Sequence, residues 1–225
     1  MMAMRWHDLL FSHWPVDVAL LRPLIPSELQ IDTYDGQAWI GVVPFHMTGV
    51  RPRFVPALPG LSTFAEINVR TYVTAENKPG VWFFSLDATS RVAVRGARWS
   101  YNLPYFFARM ELHASSSGIG YASSRRGGAA HFSATYGPTG DVYRSVPGSI
   151  DYWLTERYCL YTVDTQGRIY RGDIHHLPWP LQPAFANIES NTMTAPLGIA
   201  LPSTTPLLHF ARRVDAIAWR PERLA

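Results

Sequence analysis

The sequence predicts an α+β protein dominated by antiparallel sheet, with a closed or cone-like barrel as the favoured architecture. Three observations carry this. Runs of strand-forming residues recur along most of the 225 residues. Turn signals rich in Gly, Asp, Asn and Pro separate them. Helical periodicity is confined to short stretches. With 47% apolar residues, the chain can bury a substantial core. No composition break or internal repeat divides it, so residues 1–225 are expected to form one domain.

The first element read this way is VDVALLRPLIP, Val16 to Pro26. Val18, Leu21, Leu24 and Ile25 recur at helical spacing, and Pro26 helps to stop the helix. LQIDTYDGQAWIGVVPF follows, with Asp35-Gly36 as a hairpin signal between two apolar runs. FAEINVRTYVTAENKPGVWFFSLDA repeats that arrangement around Glu76 to Gly80. On its first strand Phe64, Glu66, Asn68 and Arg70 share one face, and Ala65, Ile67, Val69 and Thr71 the other.

Residues 90–102 suit a helix or an irregular crossing, and Pro104 marks a break. PYFFARMELHA, GIGYASS and AAHFSATYG read as three strands, with Ser115 to Gly118 as a turn. Ser149 to Arg157 reads as a short helix, and RYCLYTVDTQGRIYRGDI as a hairpin around Gln166-Gly167. LQPAFANIESNTM is expected to be helical, and LLHFARRVDAIAW closes the chain as a strand.

Composition excludes several function classes. The net charge is only +3, and Arg51/Arg53, Arg125/Arg126 and Arg212/Arg213 form short clusters rather than a nucleic-acid-binding stripe. Cys159 is the single cysteine, so no intrachain disulfide can form, which fits a reducing compartment. The first residues, MMAMRWHDLLFSHW, lack the apolar run of a signal peptide, and no stretch approaches the ~20 apolar residues of a membrane span. The expectation is a soluble cytoplasmic protein without a membrane or nucleic-acid partner.

Residue types restrict the chemistry open to this chain. No His or Cys spacing suits a metal, and His175-His176, adjacent on a strand, face opposite sides. Gly118-Ile119-Gly120 lacks the third glycine of a dinucleotide fingerprint. Cys159 lies in an alternating strand as a small core residue does, and no nucleophile elbow is present. Lys78 is the sole lysine, in a solvent-seeking Asn-Lys-Pro-Gly turn. Schiff-base catalysis needs an amine depressed in pKa by burial or by a nearby cation. What remains is the polar face of Glu66, Asn68 and Arg70. It is either the wet side of a half-buried sheet, with Glu66 and Arg70 as an ion pair, or the lining of a ligand pocket.

The segments LLFSHWPVD, LRPLIPSELQIDTYDGQAWIGVVPF, FAEINVRTYV, GVWFFSLDA, LPYFFARM, ERYCLY and HHLPWPL resemble the uncharacterised YqjF-like family of the acetoacetate-decarboxylase-like superfamily. The resemblance implies a cone-shaped antiparallel barrel around a small-molecule cavity, usually in a homo-oligomer. In the decarboxylases a segment of the form Arg-Glu-…-Pro-Lys-Lys supplies the Schiff-base lysine and a second lysine that depresses its pKa. Arg98-Trp99-…-Pro104-Tyr105-Phe106 resembles that segment, with Tyr105 and Phe106 in the places of the two lysines. Phe64-Ala65-Glu66 resembles the aromatic-x-Glu element, His7 stands near the place of a substrate-binding arginine, and a second glutamate near Gly41 is absent.

The leading expectation is therefore a small-molecule-binding barrel without decarboxylase activity and without a cofactor, whose ligand is a small organic molecule, a carboxylate being the candidate. Its cavity is expected to be lined by Glu66, Asn68, Arg98, Tyr101, Tyr105 and His7, with aromatic walls from Trp99 and Phe106. Arg98 would hold a carboxylate or else a structural ion pair. The second expectation is a lysine-independent enzyme, with Glu66 as acid or base and Tyr105 as hydrogen-bond donor for an enolisation, hydration or retro-aldol step. The third is a structural or interaction module with its cavity filled by side chains.

Overall fold

The structure, a computed structural model, describes residues 1–58 and 62–224. Its strands are β1 (Met2–Val16), β2 (Gln30–Ile31), β3 (Ala38–Pro52), β4 (Phe64–Ala75), β5 (Lys78–Ala88), β6 (Tyr105–Ser115), β7 (Gly118–Arg125), β8 (His131–Pro138), β9 (Cys159–Val163), β10 (Ile169–His176), β11 (Leu181–Asn191), β12 (Leu207–Ala218) and β13 (Glu222–Arg223). Three short helices, α1 (Val18–Leu21), α2 (Arg91–Tyr101) and α3 (Ile150–Thr155), lie between them. The expected strand-dominated α+β class is what the chain adopts.

The strands form one sheet in the order β13-β10-β9-β5-β6-β7-β8-β11-β12-β1-β3-β4-β2, with further pairings of β10 with β12 and β5 with β4. Those pairings curl the sheet back on itself. β5 and β4 share ten residue pairs, but β10 and β12 share only three, and β5 and β9 within the strand order only two, so the barrel is not uniformly closed. Most neighbours are antiparallel, as expected, but β5 runs parallel to both β6 and β9. The β5–β6 connection passes through α2, as a parallel crossover requires.

β4 has two buried faces, and this decides where the site lies. Ala65, Ile67 and Val69 face a core containing Leu10, Tyr121, Phe132, Tyr136 and Phe210. Phe64 faces a second cluster with Val43, Phe45, Leu86, Leu103 and Trp179. The alternation predicted for this strand is present, but neither side is wet. A two-residue turn, with Glu76 and Asn77 both at positive φ, joins β4 to β5.

Several local expectations are corrected. LQPAFANIESNTM is not helical: it contains strand β11, paired with β8 through residues 184–191. Its burial alternates, with Ala184, Ala186 and Ile188 more covered than Phe185 and Asn187, a period of two that small residues disguise. The predicted helix of residues 16–26 shrinks to α1, capped by Asp17, and a 3₁₀ turn over Arg22–Leu24, because Pro23 interrupts the helical hydrogen bonds. Asp35-Gly36 does turn the chain, at φ of 50° and 79°, but closes only a Tyr34–Gln37 bridge. The flanking runs do not pair with each other, because β2 pairs with β4. Residues 90–102 resolve as α2, capped by Ser90 and ended by Asn102 in the left-handed conformation. Among the described residues no helix is long and apolar enough to cross a membrane.

Candidate functional site

The inner face of β4 looks into a cavity of about 540 Å³, between the strands and α2. Register sets its polar patch. Asn68 pairs with Val43 on β3 and Leu86 on β5, and Leu86 pairs in turn with Tyr105 on β6. That row brings Tyr105 beside Glu66, two residues back along β4. The Tyr105 hydroxyl donates to Glu66 Oε2 at 2.8 Å. Tyr121, from the opposite core, donates to the Glu66 carbonyl at 2.7 Å and so fixes the strand beneath it.

Glu66 is 3% exposed and Tyr105 9%. Burial pushes the Glu66 carboxyl up from 4.5 to about 8; the Tyr105 hydrogen bond pulls the other way, and the negative charge of Asp87 adds to the rise. Burial, then the neighbouring Glu66 charge, drive the Tyr105 phenol well above its ordinary value. At neutral pH the pair is therefore a carboxylic acid against a phenol, two groups able to exchange and donate protons without net charge. Asp87 itself is fully buried and held by Arg125 through two hydrogen bonds of 2.7 and 2.8 Å.

Of the residues predicted for the site, Glu66, Asn68, Tyr101 and Tyr105 line this cavity. Burial raises the Tyr101 phenol, and Asn68 Oδ1 is buried without a hydrogen-bond partner among the described residues. Trp99 borders the mouth but is 89% exposed. His7 and Arg98 are corrections, since neither is among the described lining residues. Asp8, at φ 52°, kinks β1 so that Trp6 and Leu9 point into the cavity. His7 instead bonds Thr48 Oγ1 at 2.8 Å and stacks on His46. Arg98 donates to the Tyr105 carbonyl at 2.6 Å and lies over Phe106, which ties α2 to β6. It forms neither the carboxylate clamp nor an ion pair within 4.0 Å among the described residues. Phe106, next to Tyr105 on a strand, turns away from the cavity and stacks under Arg125, 4.0 Å from its guanidinium carbon.

Three arginines that line the cavity were not singled out as ligand-binding residues: Arg51, which donates Nη1 to the Gly49 carbonyl at 2.9 Å, and Arg70 and Arg157. Arg70 does not pair with Glu66: no carboxylate lies within 4.0 Å of its guanidinium among the described residues, and its Nε is buried without a partner. Arg157 spends Nη1 on Asp32 at 2.6 Å and Nε on the Trp153 carbonyl at 2.7 Å, and its Nη2 is buried without a partner among the described residues. The Arg70 and Arg157 charges both act on the buried Tyr72 phenol, so they converge on one end of the cavity. The alternation Glu66, Asn68, Arg70 was the available sequence signal for Arg70. Arg157 carried none, because its place depends on a fold contact between residues 125 positions apart.

No lysine is among the described lining residues; Lys78 sits at the start of β5 with its Nζ 2.9 Å from Asp173. No cluster of three or more His, Cys, Asp or Glu positioned to hold a metal occurs among the described residues.

A family model covering residues 3–215 matches this sequence, DUF2071, described as an uncharacterized conserved protein. The chain belongs to the DUF2071 family. It is 50% identical over 219 residues to the uncharacterized protein YqjF of Bacillus subtilis (strain 168), covering 97% of this chain and 90% of that protein. Among solved structures it resembles acetoacetate decarboxylase, with a TM-score of 0.68 and 16% identity over 99% of this chain and 89% of the other. It also resembles the enduracididine biosynthesis enzyme MppR complexed with pyruvate, with a TM-score of 0.67 and 12% identity over 100% and 91%. At these identities the structural likeness shows the fold, an acetoacetate-decarboxylase-like one, and leaves the chemistry to the residues.

Proposed function

We propose that this DUF2071 protein is a small-molecule-binding barrel that takes an organic carboxylate into the cavity beneath α2 and does not use Schiff-base chemistry. One observation carries the reading: Arg70 brings a guanidinium without a carboxylate partner among the described residues into a largely apolar cavity, which also holds the neutral Glu66–Tyr105 pair. A cation so placed favours an anionic guest, and a guanidinium suits a carboxylate's two oxygens. Tyr105 in place of the reactive lysine, and the pairing of Lys78 with Asp173, support the absence of an iminium step.

The test is incubation of purified protein with acetoacetate, with CO₂ release followed and borohydride trapping read by intact mass. The expected result is CO₂ at the buffer rate and no adduct. Release above that rate without an added cofactor, or an adduct on Lys78, would overturn the reading.

A second reading is favoured by the raised Glu66 carboxyl against the Tyr105 hydroxyl. In it the pair catalyses a lysine-independent proton transfer, such as enolisation of a bound keto acid, with Glu66 taking up or giving the proton and Tyr105 donating to the enolate oxygen. Deuterium exchange at the carbon next to the ketone, followed by NMR, tests it. Exchange that survives in both Glu66→Gln and Tyr105→Phe would remove this assignment. The homo-oligomer implied by family resemblance belongs to the proposal as well, and a monomeric mass by light scattering would end it.

A further inference from the structure

Resting on the reading of the cavity as a carboxylate site, we infer that its ligand is an amphipathic monocarboxylate, bound with its head against Arg70 and an extended apolar body running toward α2. Charge at the polar end sets the head group. Asp32 already compensates Arg157, and Arg70 has no carboxylate within 4.0 Å among the described residues. The end therefore carries one uncompensated positive charge, which matches one negative charge on the guest. A doubly charged head would leave its second charge desolvated without a partner. Asn68 Oδ1 and Arg157 Nη2, both buried and without a partner among the described residues, border the same cavity.

The walls set the body. Beyond the polar end the lining is Val43, Phe45, Phe64, Leu86, Leu103, Leu160 and similar side chains. A volume of about 540 Å³ lies within the range that takes drug-sized ligands and exceeds what a three- or four-carbon acid fills. The apolar surface continues to solvent, because Val55, Leu58, Val92 and Trp99 are exposed and still line the mouth. A ligand tail thus meets mainly apolar contact, broken by the Glu66–Tyr105 pair that lines the same cavity.

The experiment is calorimetric titration of the wild-type protein with hexanoate, decanoate and decan-1-ol, repeated on Arg70→Met. Each added methylene contributes apolar burial, so decanoate should bind at least tenfold more tightly than hexanoate. Decan-1-ol, with the same tail and no charge, should bind at least tenfold more weakly than decanoate. Arg70→Met should erase that second gap while still binding decan-1-ol.

Equal affinity for hexanoate and decanoate would overturn the extended body and leave the carboxylate reading standing. Equal affinity for decanoate and decan-1-ol in wild type, or no binding of any of the three by protein whose circular dichroism shows it folded, would overturn both. An unchanged decanoate preference in Arg70→Met would remove Arg70 as the head-group site. The wild-type series decides the matter even if the variant does not fold.

Discussion

Replacing Glu66 by Gln should make the protein more stable, and increasingly so as pH rises. Glutamine keeps the shape and can still accept from Tyr105, but it cannot ionise. In the wild type the folded carboxyl titrates near 8 instead of 4.5. The folded state thus holds a proton that the unfolded chain has released between those values. There the native state binds more protons, so stability falls as pH rises, and the loss levels off above about pH 8.

At about 1.4 kcal/mol per pH unit, the full cost is roughly 5 kcal/mol, of which roughly 3–4 accrue between pH 5 and 8. The lowered His13, His176 and His209 slope the other way below pH 6.5, but they are common to both proteins and cancel in the difference. The assay is urea unfolding of wild type and Glu66→Gln at half-unit steps from pH 5 to 8.5. The stability difference in favour of the variant should grow by roughly 3–4 kcal/mol from pH 5 to 8. A difference that stays constant within about 0.5 kcal/mol would show that Glu66 ionises normally and that the cavity floor is not dry.

Four further substitutions have outcomes set by contacts in the fold. Tyr105→Phe removes the donor that favours ionised Glu66, so the Glu66 midpoint, followed by carboxyl ¹³C NMR, should rise, and stability should drop by about 1 kcal/mol; a midpoint that falls refutes the assignment. Asp87→Asn breaks a buried bidentate pair and leaves Arg125 uncompensated, so denaturant melts should show a loss of roughly 3–5 kcal/mol; a loss under about 1 kcal/mol refutes it. A Cβ at Gly80 would sit 2.6 Å from Cys159 Sγ and 2.9 Å from the Cys159 carbonyl, so Gly80→Ala should destabilise by about 1–3 kcal/mol. Gly96→Ala, on α2 with nothing within 4 Å, should instead gain about 0.5–1 kcal/mol, and the opposite ranking would refute the packing argument.

The parts of this fold that were legible in the sequence are those set by local period and turn chemistry. β4, β5 and their turn follow from alternation and Glu76-Asn77, and the hairpin of β9 and β10 from Gln166-Gly167. β11 was misread because Ala184, Ala186 and Asn187 favour no strand on their own, and pairing with β8 overrides them. β1 was not read as a strand, since the kink at Asp8 shifts its register against β3.

The site divides along the same line. Glu66 and Asn68 were placed by strand alternation, Tyr105 through the family resemblance, and Tyr101 as an aromatic wall of the expected cavity. His7 and Arg98 were misplaced, because a backbone kink and a helix-to-strand hydrogen bond decide where they point. Arg70 was visible on the polar face, yet its lack of a carboxylate partner is a property of three-dimensional packing. The expectation of an ion pair with Glu66 fails because that carboxyl is neutral and engaged by Tyr105.

The central claim is that the cavity beneath α2 receives an organic carboxylate at Arg70. Its most direct test is an experimental structure of the protein with decanoate. The carboxylate should lie within hydrogen-bond distance of the Arg70 guanidinium, with the chain between Phe45, Leu86 and Leu103 leading toward Trp99. A carboxylate bound at Lys78 or on the outer surface, with the Arg70 end of the cavity unoccupied by ligand, would contradict it.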